Sequence, residues 1–437
     1  MGTSQATVPT DIEFRTIRKL QTRILPFVFV LFVVNFLDRT NIAFAALTMN
    51  KDLAITSQQY GFVAGIFFLG YFIFEIPSNL MLHRFGARIW IARILISWGI
   101  VAVLTGFVKA AIHLYFARFL LGVAEAGFFP GIVLYLTYWF RQQRLGQAIA
   151  LFCAANPVAN ILGSPLSGVI LDHAHWFGFA SWRWLLILEG IPAILGGVLT
   201  YFLLPGRPAE ARFLTAEEKD WITAELSGEE QQKQASRQIT VAQALGDARV
   251  WHLSAISFTA LLGMFAMVFW MPQLIKAFSS RYSNTMVGLL VMIPYLVALP
   301  VMTLVARSSD RRRERRYHTA IPLMIAAISL VFLGTIASPV FFSVTLWCLV
   351  ASGVYSLFGP LMSLPNEFLA GFSAAAGIAL INSIGNLGGF VGPYAIGVIA
   401  ARTENHYGGL TLAGVSLFVS ATLVLLLPRK LQALAKS

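Results

Sequence analysis

Twelve long apolar runs limit what this chain can fold into more than any other feature of its sequence. They lie near 24–47, 59–82, 89–108, 113–138, 145–170, 183–204, 250–275, 285–306, 318–337, 340–363, 373–399 and 409–427. A helix of about 20 apolar residues crosses the hydrocarbon core of a bilayer, and backbone polar groups in lipid must pair within their own segment. Charged residues make up 12% of the chain, against about 25% in soluble domains. We therefore predict an all-α membrane protein with twelve transmembrane helices.

The net charge of +12 follows membrane topology, so it gives no reason to expect a nucleic-acid partner. Lysines and arginines concentrate at both ends of the chain and in alternate loops: Arg15, Arg18, Lys19, Arg23, Arg84, Arg88, Arg141, Arg144, Arg207, Arg212, Lys219, Lys233, Arg237, the run from Arg307 to Arg316, Arg429, Lys430 and Lys436. Cytoplasmic loops carry the excess of Lys and Arg. Both termini are therefore predicted to be cytoplasmic, and the basic loops are expected to contact anionic lipid.

A polar stretch divides the apolar runs into two sets of six. We predict an N-terminal six-helix bundle over residues 1–204 and a C-terminal six-helix bundle over residues 250–437. Residues 205–249 form a cytoplasmic central loop, in which Thr215 and the acids that follow it are typical of the start of an amphipathic helix.

The two sets of six also resemble repeats. HRFGAR follows the second run and DRRRERR follows the eighth, so aligning His83 with Asp310 pairs Arg84 with Arg311. Parallel six-helix repeats around a site at the membrane midplane are the plan of the major facilitator superfamily, and the resemblance covers essentially the whole chain. The first copy departs from that superfamily's loop motif at His83, where Asp is usual, and at Asn79, where Gly is usual. We expect a gating or motif role for Arg84, Asp310 and Arg311.

The charges inside the apolar runs that are candidates for burial are Asp38, Arg39, Glu75, Arg118, Glu125 and Glu189. Each costs about 2.5–3.5 kcal/mol at the bilayer centre on insertion scales, so each is expected to face the bundle interior or an aqueous cavity. Adjacent residues of a helix diverge by roughly 100°, which lets Asp38 and Arg39 address different neighbours. Arg118 and Glu125 are two helical turns apart and share a face.

Two explanations of these charges stay open at this point. In the first, Asp38 pairs with Arg118, or Arg39 with Glu125, only to lock the first helix to the fourth. In the second, an arginine accepts the carboxylate of an anionic substrate, because its planar fork suits that group. A nearby acid then carries a proton, and its protonation frees the arginine for the anion.

Five motifs in matching order resemble the anion:cation symporter family within that superfamily, and most closely its tartrate-type and 4-hydroxyphenylacetate-type permeases from bacteria. They read NFLDRTNIAFA, GYFIFEIPSNLMLHRFGAR, GVAEAGFFPGIVLYLTYWF, SDRRRERRYHTAIP and INSIGNLGGFVGPYAIG. The resemblance implies that Asp38 and Glu125 handle protons and that Arg39 binds the substrate carboxylate. It implies that Arg118 tunes Glu125.

The same resemblance assigns four polar residues to the substrate site: Tyr71, Asn156, Asn382 and Asn386. The two asparagines of the eleventh run are spaced i, i+4, so both can face one cavity, although hydrogen bonding between helices is an equal alternative for them. Packing competes with substrate contact at Tyr71, and backbone distortion before Pro157 does so at Asn156. Glu75 is expected to act as a gate or helix cap, and the role of Glu189 stays open.

These features predict a monomeric secondary transporter in the cytoplasmic membrane of a bacterium. It is expected to import an organic carboxylate by proton symport through alternating access, with a hydroxy acid, a sugar acid or an aromatic acid as cargo. The alternative is a proton-coupled drug or metabolite exporter of the same fold, suggested by GSPLSG in the fifth run. The histidines do not cluster within the runs and no P-loop motif occurs, so we expect neither an enzyme nor a cofactor.

Overall fold

The computed structural model describes residues 11–235, 246–279, 281–335, 339–361, 372–405 and 407–427. Its α-helices are Asp11–Arg23, Leu25–Asp52, Ser57–Phe85, Ala87–Thr105, Ala111–Glu125, Phe128–Thr137, Gln142–Cys153, Ala155–His173, Ser181–Leu203, Ala216–Ala235, Ala248–Ala277, Asn284–Arg312, Arg316–Thr335, Val340–Ser356, Phe372–Thr403 and Tyr407–Leu425. Short 3₁₀ helices occupy Trp176–Gly178 and Pro208–Glu210. The prediction of an all-helical chain is confirmed for the residues described.

Within these ranges, twelve helical segments are long and apolar enough to cross a membrane, which confirms the predicted number. We number them span 1 to span 12: Asp11–Asp52, Ser57–Phe85, Ala87–Thr105, Ala111–Thr137, Gln142–His173, Ser181–Leu203, Ala248–Ala277, Asn284–Arg312, Arg316–Thr335, Val340–Leu361, Leu380–Thr403 and Gly408–Leu425. Large apolar side chains remain exposed along them, such as Phe341 at 86% and Phe202 at 74%. Lipid is the environment that suits such surfaces.

Small residues let the spans approach closely, as helices do in membranes. A Cβ on Gly99 of span 3 would lie 2.9 Å from the backbone oxygen of Gly190 in span 6. A Cβ on Gly61 of span 2 would lie 2.6 Å from the backbone oxygen of Pro393 in span 11. The second contact joins the first six spans to the last six, so glycine helps to hold the two sets together.

The two ends of the bundle differ in charge and in how the two sets of spans meet. Arg84, Arg141 and Arg311 lie at one end, which we call the arginine-rich end. At the opposite end, Asp172 of span 5 accepts four hydrogen bonds of 2.7–3.0 Å from Asn284 and Thr285 of span 8. The first and last six spans are therefore closed against each other at the opposite end.

Further contacts at that end join spans 1 and 2 to span 7. Asn50 Nδ2 donates to Gln273 Oε1 at 3.2 Å, and the Tyr60 hydroxyl donates to the backbone oxygen of Phe269 at 2.7 Å. Trp270 of the same span donates from Nε1 to the backbone oxygen of Pro393 at 3.1 Å. The first two contacts reinforce the closure between the two sets of spans, and the third holds span 7 against span 11 within the last six.

The polar stretch between spans 6 and 7 contains the helix Ala216–Ala235, which docks on the arginine-rich end. Thr215 and Glu218 form the expected capping box, with Glu218 N donating to Thr215 Oγ1 at 3.3 Å. Lys19 Nζ also donates to Glu218 at 2.8 Å. Burial raises the pKa of Glu218, but the hydrogen bonds from Lys19 and from the Thr215 backbone outweigh it, so the pKa is lowered overall. The division into bundles at residues 204 and 250 stays a prediction.

Candidate functional site

The centre of the candidate site is an ion pair between Arg39 of span 1 and Glu125 of span 4. Arg39 Nε donates to Glu125 Oε1 at 2.9 Å, and Nη2 contacts the same oxygen. Arg39 is 8% exposed and Glu125 is fully buried. Arg39 lies near the middle of the helix Leu25–Asp52, and Glu125 lies near the middle of span 4. Of the two pairings that the sequence left open, the structure therefore forms Arg39 with Glu125. This pair lies midway across the bundle.

A break in span 4 sets the position of Glu125. The helix that ends at Glu125 is followed by Ala126, by Gly127 with a φ of +85°, and by a new helix from Phe128. Glycine is favoured there because other residues are strained at positive φ. The free carbonyl groups at a helix C-terminus carry partial negative charge, which disfavours an ionised carboxylate. The guanidinium of Arg39 offsets that repulsion.

Three aromatic rings surround the guanidinium of Arg39. Its Cζ lies 5.2 Å from the ring centres of Phe36 and Phe67 and 5.4 Å from that of Tyr71. Aromatic faces attract a desolvated cation. Tyr71, which was predicted to line the substrate site, therefore forms a wall beside the cation, and it is 2% exposed.

Arg118 lies on the other side of Arg39. Its Nη2 donates to the backbone oxygen of Arg39 at 3.3 Å, and its Cζ lies 5.2 Å from the ring centre of Phe67. Arg118 and Glu125 thus contact Arg39 from the same face of span 4. Arg118 Nε and Glu125 Oε2 have no hydrogen-bond partner among the described residues. The site therefore keeps an unused donor and an unused acceptor close to the ion pair.

Asp38 turns away from this pair, as its position next to Arg39 predicts. It accepts a hydrogen bond from Trp98 Nε1 of span 3 at 2.8 Å and is fully buried. The proposed pairing of Asp38 with Arg118 is wrong, because the arginine instead donates to the backbone of Arg39. No charge or spacing in the sequence marks Trp98 as the partner.

Two of the predicted polar residues join the first and last six spans instead of standing free. The Tyr355 hydroxyl of span 10 donates to Asn156 Oδ1 at 2.9 Å. Asn382 Nδ2 of span 11 donates to Glu75 Oε1 of span 2 at 2.9 Å, and Ser383 Oγ donates to Glu75 Oε2 at 2.7 Å. For Asn382, the alternative of a bond between helices is the one that the structure contains.

The remaining predicted residues lie at different depths. Asn386, one turn beyond Asn382, is 8% exposed. Arg84 is at the arginine-rich end with its guanidinium 5.7 Å from the ring centre of Phe85. Asp310 and Arg311 end the helix of span 8, where Asp310 forms an ion pair with Arg315. These motif residues are therefore at one end of the bundle, away from the ion pair at its middle.

Comparison with known proteins identifies the family. The family model described as Major Facilitator Superfamily matches residues 28–393. The chain belongs to the major facilitator superfamily. It is 46% identical over 421 residues to a protein of Agrobacterium vitis named "Putative tartrate transporter", with 96% of each chain covered. It is 36% identical to the "Quinolone resistance transporter" of Acinetobacter baumannii, with 97% of each chain covered.

Solved structures of other major facilitator proteins share the fold. A bacterial homologue of the human lysosomal transporter Spinster, in an inward-facing and occupied conformation, aligns with a TM-score of 0.74 and 16% identity. The alignment covers 93% of this chain and 97% of that protein. Family membership makes this chain a transporter of a small molecule across a membrane, and it confirms the superfamily to which the sequence motifs pointed.

Proposed function

We propose that this transporter imports organic carboxylate anions together with protons by alternating access. The observation that carries the proposal is the Arg39–Glu125 ion pair, which lies midway across the bundle between aromatic walls. In this proposal Arg39 binds the substrate carboxylate, Arg118 supports it, and Asp38 and Glu125 are the proton-handling acids. Asn156 and Asn386 supply hydrogen bonds to substrate oxygens.

Proton and anion are coupled through the charge on Arg39. If Glu125 takes up a proton, its ion pair with Arg39 is lost and an unpaired guanidinium is left in a buried site. Breaking a buried pair in this way costs about 3–5 kcal/mol. A substrate carboxylate removes that cost by replacing Glu125 as the partner, so anion and proton bind together. On release, Glu125 loses its proton and pairs with Arg39 again.

The arginine-rich end is proposed to face the cytoplasm, because short cytoplasmic loops carry the excess of Lys and Arg. The chain would then have both termini in the cytoplasm and lie in the inner membrane of a bacterium, as the bacterial source of its relatives supports. Asp172 would be a gate at the opposite end, which is closed in this conformation. Glu75, held by Asn382 and Ser383, would be a gate between the two six-helix bundles.

The proposed substrate class rests on the chemistry of the site. One guanidinium pairs with one carboxylate, and amide donors suit hydroxyl or further carboxyl oxygens. A relative named for tartrate supports a hydroxy acid as the first candidate.

The test is uptake by purified protein in proteoliposomes, with tartrate as the probe and an inward proton gradient as the driving force. We expect accumulation in the wild type and its loss in Arg39→Lys, which keeps the charge but removes the bidentate fork. Arg93→Lys is a matched control, because Arg93 stacks on Trp90 of the same span and is exposed. Accumulation of tartrate to the same level with and without the proton gradient would contradict symport. A thermal-shift screen against other carboxylates extends the test to a cargo other than tartrate.

A second candidate function is proton-coupled drug export. It is favoured by the relative named for quinolone resistance, whereas two buried arginines suit an anion better than a lipophilic cation. Expression in susceptible cells distinguishes the two functions. Protection against a quinolone or a cationic dye that requires proton-handling Glu125 would favour export.

A further inference from the structure

A second polar cluster lies inside the first six spans and takes no part in the ion pair. It contains Asp38 and Asn41 of span 1, Ser167 of span 5 and Glu189 of span 6. Ser167 Oγ donates to Glu189 Oε1 at 2.8 Å, and Trp98 donates to Asp38 Oδ2. The side chain of Asn41 faces Glu189, and the charges of Glu189 and Asp38 are close enough to repel each other. Spans 1 and 6 therefore bring two carboxyl groups and one amide together, and span 5 adds the hydroxyl of Ser167.

The cluster contains polar atoms that the described residues leave without partners. These atoms are Asp38 Oδ1, Glu189 Oε2 and both polar atoms of the Asn41 amide. Asp38 is fully buried, and Asn41 and Glu189 are each 3% exposed. An ionised carboxylate can only accept hydrogen bonds, whereas a protonated one donates one. A proton on Glu189 Oε2 would turn that buried acceptor without a partner into a donor within the cluster.

The balance of buried charge also favours a proton on some of the buried acids. Among the described residues of the first six spans, the buried ionisable groups apart from tyrosines are four acids and two arginines: Asp38, Glu75, Glu125, Glu189, Arg39 and Arg118. If all were ionised, the interior would carry two uncompensated negative charges, which is very costly in a medium of low polarity. Glu125 is paired with Arg39. Asp38, Glu189 and Glu75 instead receive hydrogen bonds from neutral groups.

We propose that Asp38 and Glu189 form a buried proton-binding pair beside Asn41, separate from the anion site at Arg39 and Glu125. The charged groups that face Asp38 are Glu189 of span 6 and Glu125 and Arg118 of span 4. Glu189 faces the neutral donors Ser167 and Asn41. Proton binding forms one O–H bond on a carboxylate oxygen, and release returns that proton to water.

Glu189 has no part in the proposed symport mechanism, and the structure assigns it to this proton-binding pair. The link of this pair to transport rests on the proposed function, but the presence of the proton does not. The two claims can therefore be tested separately, first by spectroscopy and then by transport.

The spectroscopic test is infrared difference spectroscopy of the full chain in liposomes during a pH titration. A protonated carboxyl group has a carbonyl stretching band that the ionised form lacks. We expect such a band near neutral pH in the wild type, its loss in Glu189→Gln and its retention in Glu125→Gln. Ser167→Ala, which deletes one hydrogen bond, is expected to shift the band, so the assignment can be checked even if Glu189→Gln folds poorly. The absence of the band, or its persistence unchanged in folded Glu189→Gln and Asp38→Asn, would overturn the proposal.

The transport test measures tartrate accumulation at a fixed gradient of one pH unit. Each coupled proton contributes about a factor of ten to the accumulation ratio at that gradient. Glu189→Gln is therefore expected to lower the ratio about tenfold, while exchange of tartrate across the membrane without a gradient continues. An unchanged ratio would refute a transport role for the pair. If the wild type accumulates no tartrate, the proposed cargo fails and the infrared result still decides whether the pair exists.

Discussion

Replacing Arg39 by methionine should separate the stability of the ion pair from its function. Methionine is an unbranched side chain of similar volume, but it leaves Glu125 without its only described partner. Glu125 is fully buried, its second oxygen is already unpaired, and it ends a helix. Removing one member of a buried pair costs about 3–5 kcal/mol, and the helix C-terminus adds about 0.3–1 kcal/mol for a negative charge.

The double variant Arg39→Met with Glu125→Gln removes both charges. Because a neutral pair of similar volume is often no less stable than a buried ion pair, we expect most of the lost stability to return. Transport should not return, since no guanidinium remains to bind the carboxylate. Thermal unfolding of the purified single and double variants measures the first effect, and tartrate uptake in proteoliposomes measures the second. The reasoning is refuted if Arg39→Met unfolds at the wild-type temperature, or if the double variant still accumulates tartrate.

Three further predictions concern the gates and the docked helix. Ser383→Ala removes one of the hydrogen bonds to Glu75, which is worth about 1 kcal/mol, so a cysteine introduced near the gate should be alkylated about fivefold faster. An unchanged rate of alkylation would argue against a gate. Asp172→Ala deletes four hydrogen bonds at the opposite end and should favour the conformation open there, seen as increased labelling from that side. Glu218 has a lowered pKa, so its stabilisation of the docked helix should be full above the ordinary glutamate pKa of about 4.3. That stabilisation should fall as the pH drops towards the lowered pKa, as measured by hydrogen exchange, and Glu218→Gln should remove this dependence.

The sequence marked the buried charges and left their partners open. Asp38, Arg39, Arg118 and Glu125 are marked by charge inside apolar runs, and all four are buried. The neutral partners Trp98, Tyr355 and Ser383 carry no such mark, since tryptophan, tyrosine and serine are ordinary in membrane helices. For Asn382 the sequence left substrate contact and a bond between helices open, and its partner Glu75 is 307 residues away in the sequence.

The sequence by itself determined the number of spans and their all-helical form, because the length of an apolar run and the need to pair backbone groups in lipid are local properties. It also determined that Asp38 and Arg39 point in different directions, because neighbours on a helix diverge. Only the tertiary structure decided that Arg39 meets Glu125, that Asp38 meets Trp98 and that Glu75 crosses to the last six spans. These choices depend on how each helix is rotated and how deep it sits against segments far away in the chain, and no local pattern of residues specifies either quantity.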